Sequence, residues 1–325
     1  MTGANGFIGR HLTQSLLSHG NSVVGVARGP APIPVPGVET AFARDVMDGE
    51  AIRHALAGAT TVIHLAARVH AEPEGADDPA SECRRVNVDG TRLLMESAIS
   101  AGVTDFVFIS SVKAVASESD DMLTADTPPQ PVDAYGQSKL EAERIVKTLA
   151  VRHNLHAPIL RLPLVYGPGI KANMLRLFGA VDRGIPLPLG RVKNRRSFAH
   201  VANVTAAVES ALTAPAAAHQ TFYVSDGRDL STPELMRIIA DSLQRDARLV
   251  PVPTFLMRGA GRAGDLLSRI APVHLTSDSI AALLGSLFVD ISDLREMTGF
   301  RAPMTVEKGM AQTAGWYRRR AGASG

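Results

Sequence analysis

Through the first half of the chain, short apolar runs alternate with stretches whose apolar residues recur at helical spacing. The runs at 22–27 (SVVGVA), 61–66 (TVIHLA), 106–110 (FVFIS) and 157–162 (APILRL) have strand length and are rich in Val, Ile and Phe. Between them, 9–19, 51–57, 86–101 and 134–153 read as helices. Alternation of this kind predicts an α/β fold with a doubly wound parallel sheet. The segment PAPIPVPG at 30–37 cannot be a central strand, because proline supplies no ladder donor, and it reads as a surface connection.

The second half is less regular. PLVYGPGIKAN and RGIPLPLGRVKNRRS, dense in Gly and Pro, predict loops around a helix at 174–182. A helix at 201–212 and a strand at 221–225 follow. Ser231 and Glu234 have capping-box spacing ahead of LMRIIADSL, with Pro233 in the first turn, where a missing N–H costs little.

Composition adds bounds. A chain of 325 residues holds one large domain or two smaller ones. Its 45% hydrophobic and 20% charged content is ordinary for a globular protein. A net charge of +2 gives no reason to expect nucleic acid or a membrane as partner. The single Cys83 excludes an internal disulfide and fits a reducing, cytoplasmic setting. No apolar run reaches the roughly 18 residues of a membrane span, and no secretory pattern is visible. His64 and His200 sit alone in apolar blocks, which predicts packing or capping roles and no metal site. The basic end RRRAGASG reads as a frayed, solvated tail.

The first chemical signal is TGANGFIGR. Gly3 permits a tight turn, Gly6 lets backbone approach a pyrophosphate, and Gly9 allows close helix packing. Phe7 and Ile8 open the helix whose free N–H groups face the phosphates. This is a Rossmann-type dinucleotide loop, yet almost no chain precedes it. The strand that should lead into it occupies the middle of the order 3-2-1-4-5-6. The expectation is a truncated first strand whose neighbours are left with unpaired backbone groups.

After the next strand, an acid would hold the adenosine ribose hydroxyls, but Ala27 and Arg28 stand there. A guanidinium suits a 2′-phosphate, which leans the cofactor toward NADP(H) over NAD(H); a solvated Arg28 is the alternative. Asp45, after the strand-like TAFARDV, can meet the adenine amino group or begin a helix.

The second signal is DAYGQSKLEAE. Tyr135 and Lys139 stand four apart on a predicted helix and so share a face. A nearby ammonium favours a phenolate and lowers a phenol's reference pKa of about 10. Tyr135 can then exchange a proton with a carbinol oxygen while hydride moves. Lys139 can also hold the nicotinamide ribose. Ser111 ends the strand FVFISS, where parallel sheets place their ligands, and can orient the same oxygen.

These blocks, with VIHLAARVH, RVNVDGT, LRLPLVYGPG and RRSFAHVANV, make the whole chain resemble the extended short-chain dehydrogenase/reductase family of epimerases, dehydratases and reductases. The resemblance implies Ser111, Tyr135 and Lys139 as the catalytic set. It implies adenine contacts at Asp45 and Val46, and cofactor lining by Leu65, Ala66 and Ala67. Asn87 falls beside the active site, and Leu162 and Pro163 fall where backbone meets the nicotinamide amide. Asn173 and Arg196 match phosphate-binding positions for a UDP-sugar; a surface role is the alternative for Arg196. No arginine lies shortly before Phe288, where sugar epimerases often place a second phosphate ligand.

Within the family, the later segments look like the branch that reduces UDP-4-keto-6-deoxy-N-acetylglucosamine at C4 for bacterial surface polysaccharide. Dehydratases carry Asp–Glu after the catalytic hydroxyl residue, where this chain has Val112 and Lys113, so dehydration is not expected. UDP-hexose 4-epimerisation uses the same catalytic set and is the nearest alternative. An NADP(H)-sensing protein without turnover is the non-enzymatic one. The implied domains are 1–162 with about 199–225 for the dinucleotide, and 163–198 with about 226–325 for the substrate. Helices 86–101 and 134–153 would form a homodimer interface. Family members usually carry valine where Met1 stands, and GTG encodes valine or a bacterial start, so a true start slightly upstream is expected.

Overall fold

The computed structural model describes residues 1–29, 32–69, 78–267 and 276–322. The strands are β1 (Val24–Arg28), β2 (Glu39–Ala43), β3 (Thr61–His64), β4 (Asp105–Ser111), β5 (Ile159–Leu162), β6 (Leu164–Tyr166), β7 (Phe198–His200) and β8 (Thr221–Tyr223). The first six helices are α1 (Phe7–Ser18), α2 (Gly49–Leu56), α3 (Pro79–Arg84), α4 (Gly90–Ser100), α5 (Ala134–His153) and α6 (Ala172–Asp182). Then come α7 (Val201–Thr213), α8 (Thr232–Leu243), α9 (Thr254–Leu267), α10 (Ser277–Leu284), α11 (Ser292–Thr298) and α12 (Val306–Gly322).

The sheet is parallel throughout. β1 pairs with β2 on one side, and β3-β4-β5-β8 continue in that order on the other. The central position is as short as expected: Thr2 alone bridges the halves, pairing with Val26 and with His64. Its N–H donates to Ile63 O at 3.1 Å, its O accepts from Leu65 N at 3.3 Å, and Met1 O accepts from Val26 N at 2.8 Å.

Strand periodicity sorts β4 onto both faces of the sheet. Phe106 and Phe108 pack with Met95, Val146 and Ile159 on one face. Val107 and Ile109 pack with Leu12, Leu160 and Val204 on the other. A separate core joins Tyr166, Phe178, Phe198, Ile239 and Met310, contributed by the elements that follow β5.

Local signals account for the helix ends. Asp133 caps α5 by accepting from Gly136 N at 2.7 Å, and Asn154 closes it with φ 52°. Ser231 and Glu234 form the capping box that their spacing predicts. Other expectations need correction. The run at 86–101 is not one regular helix, because Arg85–Asp89 form a π-helical turn ahead of α4. The Gly/Pro-rich segments are not only loops, since β6 and β7 pair in parallel across them. Three-residue strands leave too little periodicity to read. The basic tail is helical through Gly322: the Arg318 guanidinium donates to Leu243 O, and Arg320 lies 5.7 Å from the Trp316 ring. Its last residues, 323–325, lie outside the described residues, as do 30–31 of the proline-rich connection. No helix among the described residues is long and apolar enough to cross a membrane.

Candidate active site

The glycine loop follows Thr2 at once. Gly3 has φ +68°, and a Cβ there would lie 2.9 Å from Ala66 N, so the turn presses against the chain leaving β3. A Cβ on Gly9 would meet Gly3 O at 2.2 Å, which α1 could not accept at its packing distance. Gly6 differs, for it is exposed and a Cβ would meet only Gly3 O. Its outer side is the open cradle that a pyrophosphate needs. Ile8 packs into the sheet core and Phe7 against Gly169, so α1 is held from both sides.

Beside the loop is a cavity of about 590 Å³, lined by Gly3, Arg28, Asp45, Val46, Ala66 and Ala67, among others. It lies outside the carboxyl ends of β1 and β3, where an open parallel sheet binds ligands. These residues, with the cradle, fit an adenine dinucleotide. Arg28 is exposed, in register with Ala43 of β2, and its guanidinium adds to the positive field at Asp45.

Asp45 corrects the sequence reading. It does not begin α2, because Asp48 caps that helix through Ala51 N at 3.1 Å. Both Asp45 oxygens accept from Arg85, at 2.7 and 2.9 Å. That pairing holds its carboxyl down at about pKa 2. Arg85 also donates to Glu82 at 2.8 and 2.9 Å. Arg85, in the π-helical turn, was not legible as a cavity residue because that turn departs from the helical period, and Glu82 lies on the short α3 just before it.

That turn also buries Asn87. Its Oδ1 accepts from Arg68 N at 2.8 Å, and its Nδ2 donates to Arg68 O at 3.0 Å and to Ser138 Oγ at 2.9 Å. Asn87 thus ties the segment after Leu65–Ala67 to α5, one residue from Lys139. Ser111 and Leu162 face each other in register at the ends of β4 and β5, with Pro163 next in chain. The chain after β3, Ser111 and the first turns of α5 are therefore neighbours.

Lys139 is 2% exposed. Its Nζ donates to Ile109 O at 2.6 Å and lies 4.0 Å from the Phe108 ring centroid. Burial pulls its pKa down to about 7, opposed by Glu143 one turn along. Tyr135 also departs from expectation. Packing around its hydroxyl pushes the phenol up to about 12, opposed by a hydrogen bond with Ser111. The ammonium is turned to the Ile109 carbonyl, and burial dominates at the phenol.

His64 bridges Thr2 Oγ1 at 2.6 Å and Thr91 Oγ1 at 2.9 Å, and His200 caps α7 through Ala202 N at 3.2 Å. Asn173 lies exposed in the first turn of α6, within 3.5 Å of Arg176. Arg196 is half-buried. Its Nη1 donates to Ala282 O at 2.9 Å and Gly285 O at 3.1 Å, tying it to the end of α10. Beside it, Arg258 and Arg262 line a small cavity with Glu118 and Gly285. Both arginines lie on α9, well ahead of the apolar run that ends at Asp290, so no local spacing marks them.

Residues 1–224 match the family described as NAD dependent epimerase/dehydratase. The UDP-glucose 4-epimerase of Vibrio cholerae is 35% identical over 319 residues, covering 97% of this chain and 93% of that protein. The chain belongs to the NAD-dependent epimerase/dehydratase family. Another relative, the N-acetyl-alpha-D-glucosaminyl-diphospho-ditrans,octacis-undecaprenol 4-epimerase of Escherichia coli, is 27% identical over 96% of this chain and 93% of its own length. Among solved structures, MoeE5 in complex with UDP-glucuronic acid and NAD superposes with a TM-score of 0.75 at 28% identity, covering 98% of each chain. The family's Rossmann-like parallel sheet is therefore the fold of this chain.

Proposed function

We propose that this member of the epimerase/dehydratase family moves hydride between a nicotinamide cofactor and C4 of a UDP-hexose, most directly as a 4-keto reductase. The observation that carries the redox reading is the hydrogen bond between Ser111 and Tyr135, on the helix that also carries the buried Lys139. Gly3, Gly6 and Gly9 with the first turn of α1 hold the pyrophosphate. The cavity with Arg28, Asp45 and Val46 takes the adenosine. Leu65–Ala67, Leu162 and Pro163 line the path to the nicotinamide, which supplies or accepts the hydride when bound.

Tyr135 gives its proton to O4 as C4 gains hydride. Ser111 donates a hydrogen bond to the same oxygen and, through its bond with Tyr135, favours the phenolate that results, while Lys139, one turn along α5, holds the nicotinamide ribose. A phenol kept protonated by its surroundings is suited to act as the acid in reduction. Dehydration is disfavoured, because Val112 has no acid and Lys113 is paired with Asp133 at 2.7 Å. Arg258 and Arg262, next to Arg196, supply cations for a diphosphate, with Asn173 as a further polar contact.

The UDP-sugar reading rests on relatives whose names carry UDP-glucose and on MoeE5. Arg28, free for a 2′-phosphate, favours NADP(H) and a one-way reductase. The 35% identity to a named 4-epimerase favours the second reading, UDP-hexose 4-epimerisation with retained NAD. Incubation with a UDP-4-keto-6-deoxy-hexose and NADPH separates them. A reductase consumes cofactor one for one, whereas an epimerase interconverts UDP-hexoses with no net loss of absorbance. Failure of both assays would remove the reading.

A further inference from the structure

Among the elements that follow β5, two proline-rich segments lie side by side. Residues 183–191 run against 245–251: Leu187 bridges Leu249, its N–H donates to Arg248 O at 2.8 Å, and Gly190 N donates to Val250 O at 3.0 Å. α9 opens at Thr254, directly after the second segment.

Four large apolar side chains of this face are open to solvent. Ile185 and Val250 are each 42% exposed, Leu256 is 53% exposed and Phe255 69%. Pro186, Pro188 and Pro251 are exposed among them, and proline has no N–H that an apolar medium would leave unpaired. Cations surround these residues. Arg183, Arg191, Lys193, Arg245 and Arg248 are all exposed, and the acids of the same stretches are Asp182 and Asp246. Residues 182–193 and 245–256 therefore carry a net +3, more than the +2 of the whole chain. Asp182 is engaged by Arg245 at 3.3 Å. The bond from the Arg318 guanidinium to Leu243 O brings the run Arg318, Arg319 and Arg320 to the same edge. Charge summed over the whole chain averages this concentration away, which is why composition gives no reason to expect a membrane.

We infer that this face docks on an anionic lipid surface. Ile185, Val250, Phe255 and Leu256 enter the interface, and the surrounding arginines and lysine meet lipid phosphates. Apolar tips ringed by Arg and Lys have the chemistry of a peripheral membrane contact. With 14 residues, α9 is too short to span a bilayer but can lie in its interface. A second copy is a poor occupant, because pairing this face with itself sets like charges against one another. Arg258 and Arg262 lie one and two turns beyond Phe255 on α9 and line the cavity with Glu118, so docking brings that cavity near the headgroups.

The test is co-sedimentation of the full chain with vesicles, made of phosphatidylcholine alone or with about one-third phosphatidylglycerol, at low and at high salt. The inference predicts binding to the anionic vesicles about tenfold or more tighter than to the neutral ones, and weakened about tenfold or more by high salt. Phe255→Ser with Leu256→Ser should weaken binding about tenfold or more. Arg183→Gln with Arg248→Gln should weaken it similarly and flatten the salt dependence. Met122→Ala, which truncates a side chain 43% exposed elsewhere in the chain, should leave binding unchanged. The substituted side chains are exposed, so thermal midpoints should stay with the parent. Equal binding to neutral and anionic vesicles, or binding to neither, overturns the inference. So does a dimer in sedimentation velocity that the Phe255 and Leu256 substitutions abolish. None of these readouts uses cofactor or substrate, so the result stands apart from the proposed activity.

Discussion

Arg161 and Glu143 form a buried ion pair one turn beyond Lys139 on α5. The guanidinium donates through Nε and Nη2 at 3.0 and 2.7 Å, and Ser110 Oγ adds a third bond to the carboxylate at 2.6 Å. Removing one partner of such a pair leaves the other charged and buried, at a cost of about 3–5 kcal/mol. Glu143→Gln should lose that much in urea denaturation. Glu143→Gln combined with Arg161→Met should lose clearly less, because no orphaned charge remains. A single variant within about 1 kcal/mol of the parent would contradict the pairing.

The cavity beside β1 predicts a cofactor preference. If Arg28 meets a 2′-phosphate, Arg28→Ala should weaken NADPH binding about tenfold or more, near 1.4 kcal/mol, with little effect on NADH. Fluorescence titration of both cofactors decides it. Equal losses would make Arg28 a bystander and favour the NAD-retaining epimerase.

Gly9→Ala should damage the loop from below. Its Cβ would sit 2.2 Å from Gly3 O and 2.7 Å from Ala4 Cα, both backbone atoms that cannot swing away. A cost of about 1–3 kcal/mol and a clear loss of dinucleotide affinity are expected. Gly259→Ala on α9, where a Cβ would meet nothing within 4 Å, is the control and should be neutral or stabilising.

What could be read before the structure follows from how local each cause is. The glycine loop, the α5 helix with Tyr135 and Lys139, and the capping box at Ser231 are set by neighbours within a turn, and short patterns reveal them. Arg85 on Asp45, Arg161 on Glu143, and Arg258 beside Arg196 join residues far apart in the chain, and no spacing announces them. The pKa readings missed for a related reason. Four-residue spacing places Lys139 on the same face as Tyr135, but only packing tells that its Nζ turns to Ile109 O and that burial governs the phenol. The π-helical turn hid a third group, since its period is neither that of a helix nor that of a strand.

The most direct test of the redox assignment is Tyr135→Phe, measured by nicotinamide absorbance in a single turnover with saturating UDP-4-keto sugar. The substitution removes one hydroxyl and keeps the ring. The account predicts a chemical step slowed about 10²–10⁴-fold, with cofactor and UDP-sugar affinities within about threefold of the parent. A variant that turns over at the parent's rate would contradict the assignment of Tyr135 as the proton donor.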